Sequence, residues 1–185
     1  MRDQVVIDSC CTLNLLATRR EIEVVRALKL HLLDTPQASV EPLTLWTPPD
    51  ADGVRSKEST STAALRNGGH LETRTLEGGA LIDAFINAAA RIKDADASCI
   101  ALAGVLNLPL MTDDRKERNV ARALFPTIEL VSTLDVIAEA GTALGWSAEE
   151  LALVARELRW RGNFAPPRRD PRAAWYESLL RGPER

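Results

Sequence analysis

The chain has 185 residues, of which 45% are hydrophobic, and a formal net charge of −3. This composition excludes a disordered chain, because it can bury one domain-sized core, and the net charge gives no general signal for binding polyanions. No segment approaches the roughly 18 consecutive apolar residues that a membrane-spanning helix needs, so we expect no membrane partner.

Cysteine usage indicates the compartment. Cys10, Cys11 and Cys99 form no even set, and the chain opens without a signal peptide. Both features predict buried, reduced thiols in a cytoplasmic protein.

Charge is distributed unevenly along the chain. From residue 156 to the end there are eight arginines and four acids, whereas residues 1–155 carry an excess of acids. A basic tail beside an acidic body is compatible with a phosphate-binding arm next to a carboxylate site. It is equally compatible with a solvated C-terminal helix that ends in arginines.

The first half of the chain is predicted to alternate between strands and helices. Residues 5–7 form a β-branched apolar run that predicts a buried strand ending in Asp8. Apolar spacing predicts one or two helices within residues 12–33, then a second strand over 43–46 that prolines terminate. Residues 54–66 are weakly helical, and residues 71–76 permit a short strand.

The second half repeats this alternation more clearly. We expect a helix from residue 79 to about 92, a buried helix over 96–106, a strand over 108–112 and a helix to about 124. A strand over 129–131 precedes a helix that starts at Ser132, and Ser147 with Glu150 has the spacing of a capping box for the last helix. The segment after Gly162 is predicted to be an irregular tail. Four apolar residues could dock this tail against the domain: Trp175, Tyr176, Leu179 and Leu180.

This alternation predicts an α/β fold, namely a three-layer α/β/α sandwich around a mainly parallel sheet. We divide the chain into a domain over residues 1–143 and a C-terminal helical extension with a basic tail over residues 144–185.

Acidic residues stand at the predicted ends of elements rather than on solvated faces. They are Asp8 after the first strand, Asp94 and Asp96 at the start of the buried helix, Asp113 and Asp114 after a strand, and Glu58 in the weak helix. Converging carboxylates are the ligands that Mg²⁺ and Mn²⁺ prefer, and such a site suits phosphodiester hydrolysis. Simpler roles remain open, since Asp96 or Asp113 could only cap a helix. Asp8 is harder to explain in this way, because burying a carboxylate costs free energy.

Other chemistries have less support in the sequence. No phosphate-binding loop, nucleophile elbow or dinucleotide-binding glycine pattern occurs, and the two histidines are not at zinc spacing with a cysteine. A haloacid dehalogenase phosphatase needs a second aspartate two residues after Asp8, where Cys10 stands instead.

Three segments resemble the PIN-domain family, the fold of VapC-like and PilT N-terminus-like ribonucleases. They are Val-Val-Ile-Asp8-Ser, then Asp94-Ala-Asp96-Ala-Ser-Cys-Ile-Ala-Leu-Ala103, and Leu110-Met-Thr-Asp113-Asp114-Arg115. The resemblance covers about residues 4–140, so the first domain is PIN-like. It implies an Mg²⁺- or Mn²⁺-dependent endoribonuclease that acts on single-stranded RNA.

The resemblance also implies roles for individual residues. Asp8, Asp96 and Asp114 match family acids that hold the metal, and Asp113 beside them is a further metal ligand. Glu58 is our choice for the second catalytic acid. Glu41, Glu72 and Glu77 are the alternatives for that acid. Ser9 and Thr112 would position ligands or water, and Arg115 and Arg118 would contact substrate phosphates unless they form only a solvated face.

Two functional hypotheses follow from the resemblance. The first is a nuclease, compatible with a toxin that an antitoxin protein blocks and with a homodimer. The second is a catalytically degenerate PIN domain that acts as an RNA- or protein-binding module. The two hypotheses differ in whether a glutamate lies beside the aspartates. A glutamate there favours the nuclease, and its absence favours the binding module.

Overall fold

A five-stranded parallel sheet organises the structure, a computed structural model that describes residues 3–167 and 169–181. The strands of the described chain are β1 (Gln4–Ile7), β2 (His31–Asp34), β3 (Thr44–Trp46), β4 (Lys57–Ser59), β5 (Leu71–Thr73), β6 (Leu110–Met111) and β7 (Leu130–Val131). The sheet has the order β5-β2-β1-β6-β7, and every pairing in it is parallel. β3 and β4 form a separate antiparallel pair.

Helices connect the strands and follow the last one. In chain order they are α1 (Ser9–Ala17), α2 (Glu21–Ala27), α3 (Pro36–Ser39), α4 (Ala63–Asn67), α5 (Gly79–Ala89), α6 (Asp94–Leu106), α7 (Arg115–Leu124), α8 (Thr133–Leu144), α9 (Ala148–Trp160) and α10 (Ala173–Arg181). None of the helices described has both the length and the apolar character needed to span a bilayer.

Two hydrophobic cores lie on opposite faces of the sheet. Val5 and Ile7 of β1 pack into the first core with buried residues of α1, α2, α8, α9 and α10. Val6 points the other way and packs with buried residues of α5, α6 and α7. This alternation follows from the two-residue period of a strand. The fold is therefore a three-layer α/β/α sandwich around a mainly parallel sheet, which confirms the predicted fold class.

The main error in the predicted elements is the second strand of the sheet. Residues 31–33 were expected in a helix because Leu28 and Leu32 have helical spacing, but α2 ends at Ala27 and β2 begins at His31. Lys29 adopts a left-handed conformation with φ of 53°, which ends the helix and reverses the chain into β2. The expected strand over residues 43–46 exists as β3, but it lies outside the main sheet.

Two other expectations need correction. Residues 54–66 contain β4 and the start of α4 rather than one weak helix. The expected irregular tail contains α10, whose Tyr176 is fully buried, and Trp175, Leu179 and Leu180 pack against the first core as predicted. Of the cysteines, Cys11 and Cys99 are buried thiols, but Cys10 is exposed.

The C-terminal extension shares the core of the sandwich. The Tyr176 hydroxyl donates to the Ala155 carbonyl at 3.1 Å, and its ring meets Phe164 edge-on with centroids 5.5 Å apart. Both aromatic residues belong to the same buried cluster as Val5 and Ile7. The extension is thus held by apolar burial rather than by charge alone.

We expect Tyr176→Ala to lower the free energy of unfolding by about 3–5 kcal/mol, because it empties a buried aromatic site. Leu153→Ala on α9 is the matched control, since Leu153 is 47% exposed; its effect should stay within about 1 kcal/mol. Urea unfolding of the full chain measures both values. Equal effects of the two substitutions would contradict the role of Tyr176 in holding the extension to the core.

Candidate active site

The carboxyl ends of β1 and β6 meet at the centre of the sheet. From β1 the chain continues outward through β2 and β5, whereas β6 and β7 lie on the other side of β1. Ligands of parallel sheets bind at such a change in strand direction, beyond the carboxyl ends. The Asp8 backbone N–H donates to the Met111 carbonyl at 3.2 Å, so the residues that follow both strands lie side by side.

Asp8 is the buried carboxylate of this edge. It caps the N-terminus of α1 by accepting the Cys11 N–H at 2.5 Å, and it is 3% exposed. Burial raises the pKa of Asp8 to about 6, and the charge of Asp113 contributes in the same direction, against the hydrogen bond from the Cys11 N–H. The helix cap therefore only partly offsets the cost of removing this carboxylate from water.

Glu117 is a second buried carboxyl group, and it is not among the residues expected at the site. It lies in the first turn of α7 with 0% exposure. Its Oε2 accepts the Thr112 hydroxyl at 2.7 Å, while its buried Oε1 has no hydrogen-bond partner among the described residues. Burial and then the charge of Asp8 hold the pKa of Glu117 well above its usual range. Glu117 and Asp8 thus lie close enough for the charge of one to oppose ionisation of the other.

Asp96 and Glu41 lie next to this pair. Asp96 stands in the first turn of α6, and its pKa is raised by burial and by the charges of Glu41 and Asp114. Glu41 follows α3 and accepts a hydrogen bond from the Ser9 hydroxyl.

Four of these acids lie within electrostatic range of one side chain, the exposed Cys10. Partial burial of its thiol raises the pKa of Cys10 to about 12, and the negative charges of four acids add to the shift: Asp8, Asp96, Glu41 and Glu117. These four residues together with Asp114 are called the acidic cluster below. The cluster combines the ends of β1 and β6 with the starts of α6 and α7.

The structure does not bring Glu58 into the acidic cluster. Glu58 lies on β4, where Arg161 donates to its Oε1 at 3.0 Å. Glu72 pairs with His31 and Arg74, and Glu77 accepts from Thr75. Of the four glutamates considered for the second acid, Glu41 is therefore the one that joins the aspartates.

Asp113 ties three elements together and differs from its neighbour. Its Oδ1 accepts the Thr133 N–H at 3.0 Å, and its Oδ2 accepts the Thr133 hydroxyl at 2.5 Å and the Asn14 amide at 3.1 Å. Asp113 thereby joins the end of β6 to the starts of α8 and α1. Asp114, not Asp113, caps α7, since it accepts the Glu117 N–H at 2.8 Å.

The other predicted residues have distinct positions. Thr112 is buried and also accepts the Asp114 N–H at 3.1 Å. Arg118 donates to the carbonyls of Thr112 and Val131 at 2.8 and 3.4 Å, so it holds the ends of β6 and β7. Arg115 is exposed at the start of α7, where it is accessible to a ligand.

The acidic cluster has the donor chemistry of a site for a hard divalent cation. Every member offers carboxylate oxygens, and the unpaired Oε1 of Glu117 is a buried acceptor without a donor. In their present positions, however, the described side chains include no group of three or more His, Cys, Asp or Glu residues arranged to hold an ion. The residue types thus fit Mg²⁺ or Mn²⁺, and side-chain rotation is needed to complete a coordination shell.

Comparisons with known proteins found no match to a family model, a curated protein or a solved structure. The interpretation of this site consequently depends on its own geometry and on the sequence motifs.

The raised pKa of Asp8 predicts how the stability of the folded protein changes with pH. The folded state binds the Asp8 proton more tightly than the unfolded state does, so metal-free protein loses stability as the pH rises from about 4 to above 6. Asp8→Asn removes the ionisation and can still cap α1. We expect it to stabilise the metal-free protein by roughly 1–3 kcal/mol at pH 8 and hardly at all at pH 4.

Urea unfolding in EDTA at both pH values measures this difference. Asp83→Asn, which changes an exposed carboxylate of α5, is the control and should have the same small effect at each pH. A stabilisation by Asp8→Asn that is independent of pH would contradict the assignment.

The two adjacent aspartates should respond differently to alanine. Asp113→Ala removes several hydrogen bonds to a charged acceptor, so we expect a loss of roughly 2–4 kcal/mol in the free energy of unfolding. Asp114→Ala removes one helix cap and should cost about 1 kcal/mol. Chemical denaturation of both variants compares them, and a larger loss for Asp114→Ala would refute the structural role of Asp113.

Proposed function

We propose that the chain is a metal-dependent endoribonuclease that hydrolyses phosphodiester bonds of single-stranded RNA. The observation that carries the proposal is the buried Asp8–Glu117 pair at the centre of the sheet edge, with Glu41, Asp96 and Asp114 beside it. The PIN-like order of the motifs supports RNA as the substrate and Mg²⁺ or Mn²⁺ as the cofactor.

The electrostatics of the pair support a cation-binding role. Two carboxyl groups that desolvate and repel each other reduce stability unless a proton or a cation compensates them. The hydrogen bond from Thr112 to Glu117 and that from Cys11 to Asp8 compensate only in part, because both pKa values remain raised. Sites at which charge is held at a cost to stability are frequently functional.

The residues at this site have different roles in the proposed reaction. Asp8, Asp96 and Asp114 would hold Mg²⁺ or Mn²⁺, which supplies Lewis-acid chemistry to phosphodiester hydrolysis when bound. Glu41 takes the place that we had assigned to Glu58 and would orient the attacking water, with Ser9 fixing its carboxylate. Thr112 would hold the carboxyl group of Glu117 beside Asp8. Arg115 would attract the substrate phosphate.

A catalytically degenerate binding module is the second candidate. It is favoured by one observation, that the described side chains form no ready group of three metal ligands. The antitoxin protein and the homodimer that the PIN resemblance implies are compatible with both candidates.

The first experiment measures metal binding and RNA cleavage together. We expect calorimetry to detect Mn²⁺ binding to the full chain, and we expect a mixed single-stranded RNA pool to be cleaved in its presence. Asp8→Asn should reduce cleavage at least a hundredfold and weaken Mn²⁺ binding, since it removes a charged ligand from the centre of the cluster.

Glu41→Gln and Glu58→Gln form a matched pair of further variants. The first should lose most of the cleavage activity and the second should retain it, because only Glu41 lies in the acidic cluster. Activity that depends on Glu58 instead would overturn our assignment of the second acid. Folded wild-type protein that neither binds Mn²⁺ nor cleaves RNA would support the binding module.

A further inference from the structure

A cleft of about 980 Å³ opens beside the acidic cluster. Asp114 and α7, with Arg115 and Arg122, line one part of it. The segment between α9 and α10 lines another part with Arg169 and Asp170. The C-terminal extension therefore lines part of a cavity that a member of the cluster also lines.

Most carboxylates at this cleft already have partners. Asp135 accepts Arg172 Nε at 2.8 Å and the Ser132 N–H at 3.0 Å. Partial burial opposes ionisation of Asp135, but these hydrogen bonds outweigh it and lower its pKa. Asp170 accepts the Arg172 N–H at 2.7 Å, and Asp113 is bound to Thr133.

Three arginines of the cleft, in contrast to these carboxylates, have a free charge in the described part of the chain. Arg115, Arg122 and Arg169 are exposed, and within the described ranges none of them forms an ion pair with a carboxylate. The cleft thus has positive charge available for an anionic ligand, although the chain as a whole is acidic.

The spacing of these arginines indicates more than one anionic group. Arg115 and Arg122 are seven positions apart on α7, which separates their backbones by about 10 Å along the helix axis. Arg169 belongs to the C-terminal extension, where the Arg172–Asp135 pair and the buried Tyr176 fix the segment that carries it. That separation suits successive phosphates of one strand better than a single phosphate.

We infer that this cleft binds the phosphate backbone of single-stranded nucleic acid and leads the strand to the acidic cluster, with Arg122 of α7 and Arg169 of the C-terminal extension as phosphate contacts. The inference rests on the proposed nuclease function and adds to it a role for the C-terminal extension. Asp114 lines the cleft and belongs to the cluster, so a strand in the cleft reaches the site of hydrolysis.

The test measures binding without cleavage. Fluorescence anisotropy of a fluorescein-labelled, unstructured RNA dodecamer is recorded in EDTA over a series of salt concentrations. The double variant Arg122→Ala/Arg169→Ala should raise Kd about tenfold or more at low salt and reduce the slope of log K against log salt by about 1 to 1.5, because about two phosphate contacts are lost.

Two controls separate the lost charge from other effects. Arg122→Lys/Arg169→Lys keeps both positive charges and should retain affinity within about threefold. Arg26→Ala removes an exposed arginine near the start of β2, at the opposite edge of the sheet, and should leave Kd unchanged. Thermal unfolding of every variant confirms that the fold is intact.

The outcomes distinguish the cleft from the nuclease. Binding that is sensitive to Arg122 and Arg169 without any Mn²⁺-dependent cleavage would support the cleft and reject the enzyme. Cleavage by a double variant that binds the dodecamer like wild type would support the enzyme and overturn the cleft. A wild-type chain with no affinity for the dodecamer at low salt would also overturn it.

Discussion

The burial of two carboxyl groups against each other is the constraint on which this structure depends. Asp8 closes the central strand and Glu117 enters from the first turn of α7, and neither group is fully compensated by its hydrogen bonds. The buried carboxylate Asp34, at the end of β2, differs from this pair because Arg66 and Thr73 both donate to it. Since an unpaired buried charge lowers stability, its presence at a sheet edge is more easily explained by function than by folding.

The same edge contains acids of a second kind, which hold the fold together. Asp113 joins α1, β6 and α8, and Asp135 both completes a capping box and fixes Arg172 of the C-terminal segment. Adjacent positions in the sequence, Asp113 and Asp114, therefore have different tasks. The distinction depends on how many donors each carboxylate meets, which the residue type alone does not reveal.

The periodicity of apolar residues predicted much of the fold, but it predicted less of the candidate site. The buried runs of β1 and β6 and the apolar helix α6 were recognisable because burial on all sides leaves a continuous apolar pattern. β2 was missed because Leu28 and Leu32 happen to have helical spacing across a chain reversal. That error displaced the search for the second acid, since Glu41 lies shortly after β2 and Glu58 shortly after β3. Glu117 was detectable in principle: it shares a helix face with the buried Val120 and Ala121, where a carboxylate is out of place.

The helix caps at the sheet edge limit how a ligand can be held. Asp8 and Asp114 each accept a backbone N–H at the start of a helix through one oxygen. The cap therefore holds each carboxylate in one orientation, which is set by the backbone of α1 or α7 rather than by a ligand. A substitution that shifts the start of either helix would consequently move a carboxylate of the cluster, although it touches no residue of the site.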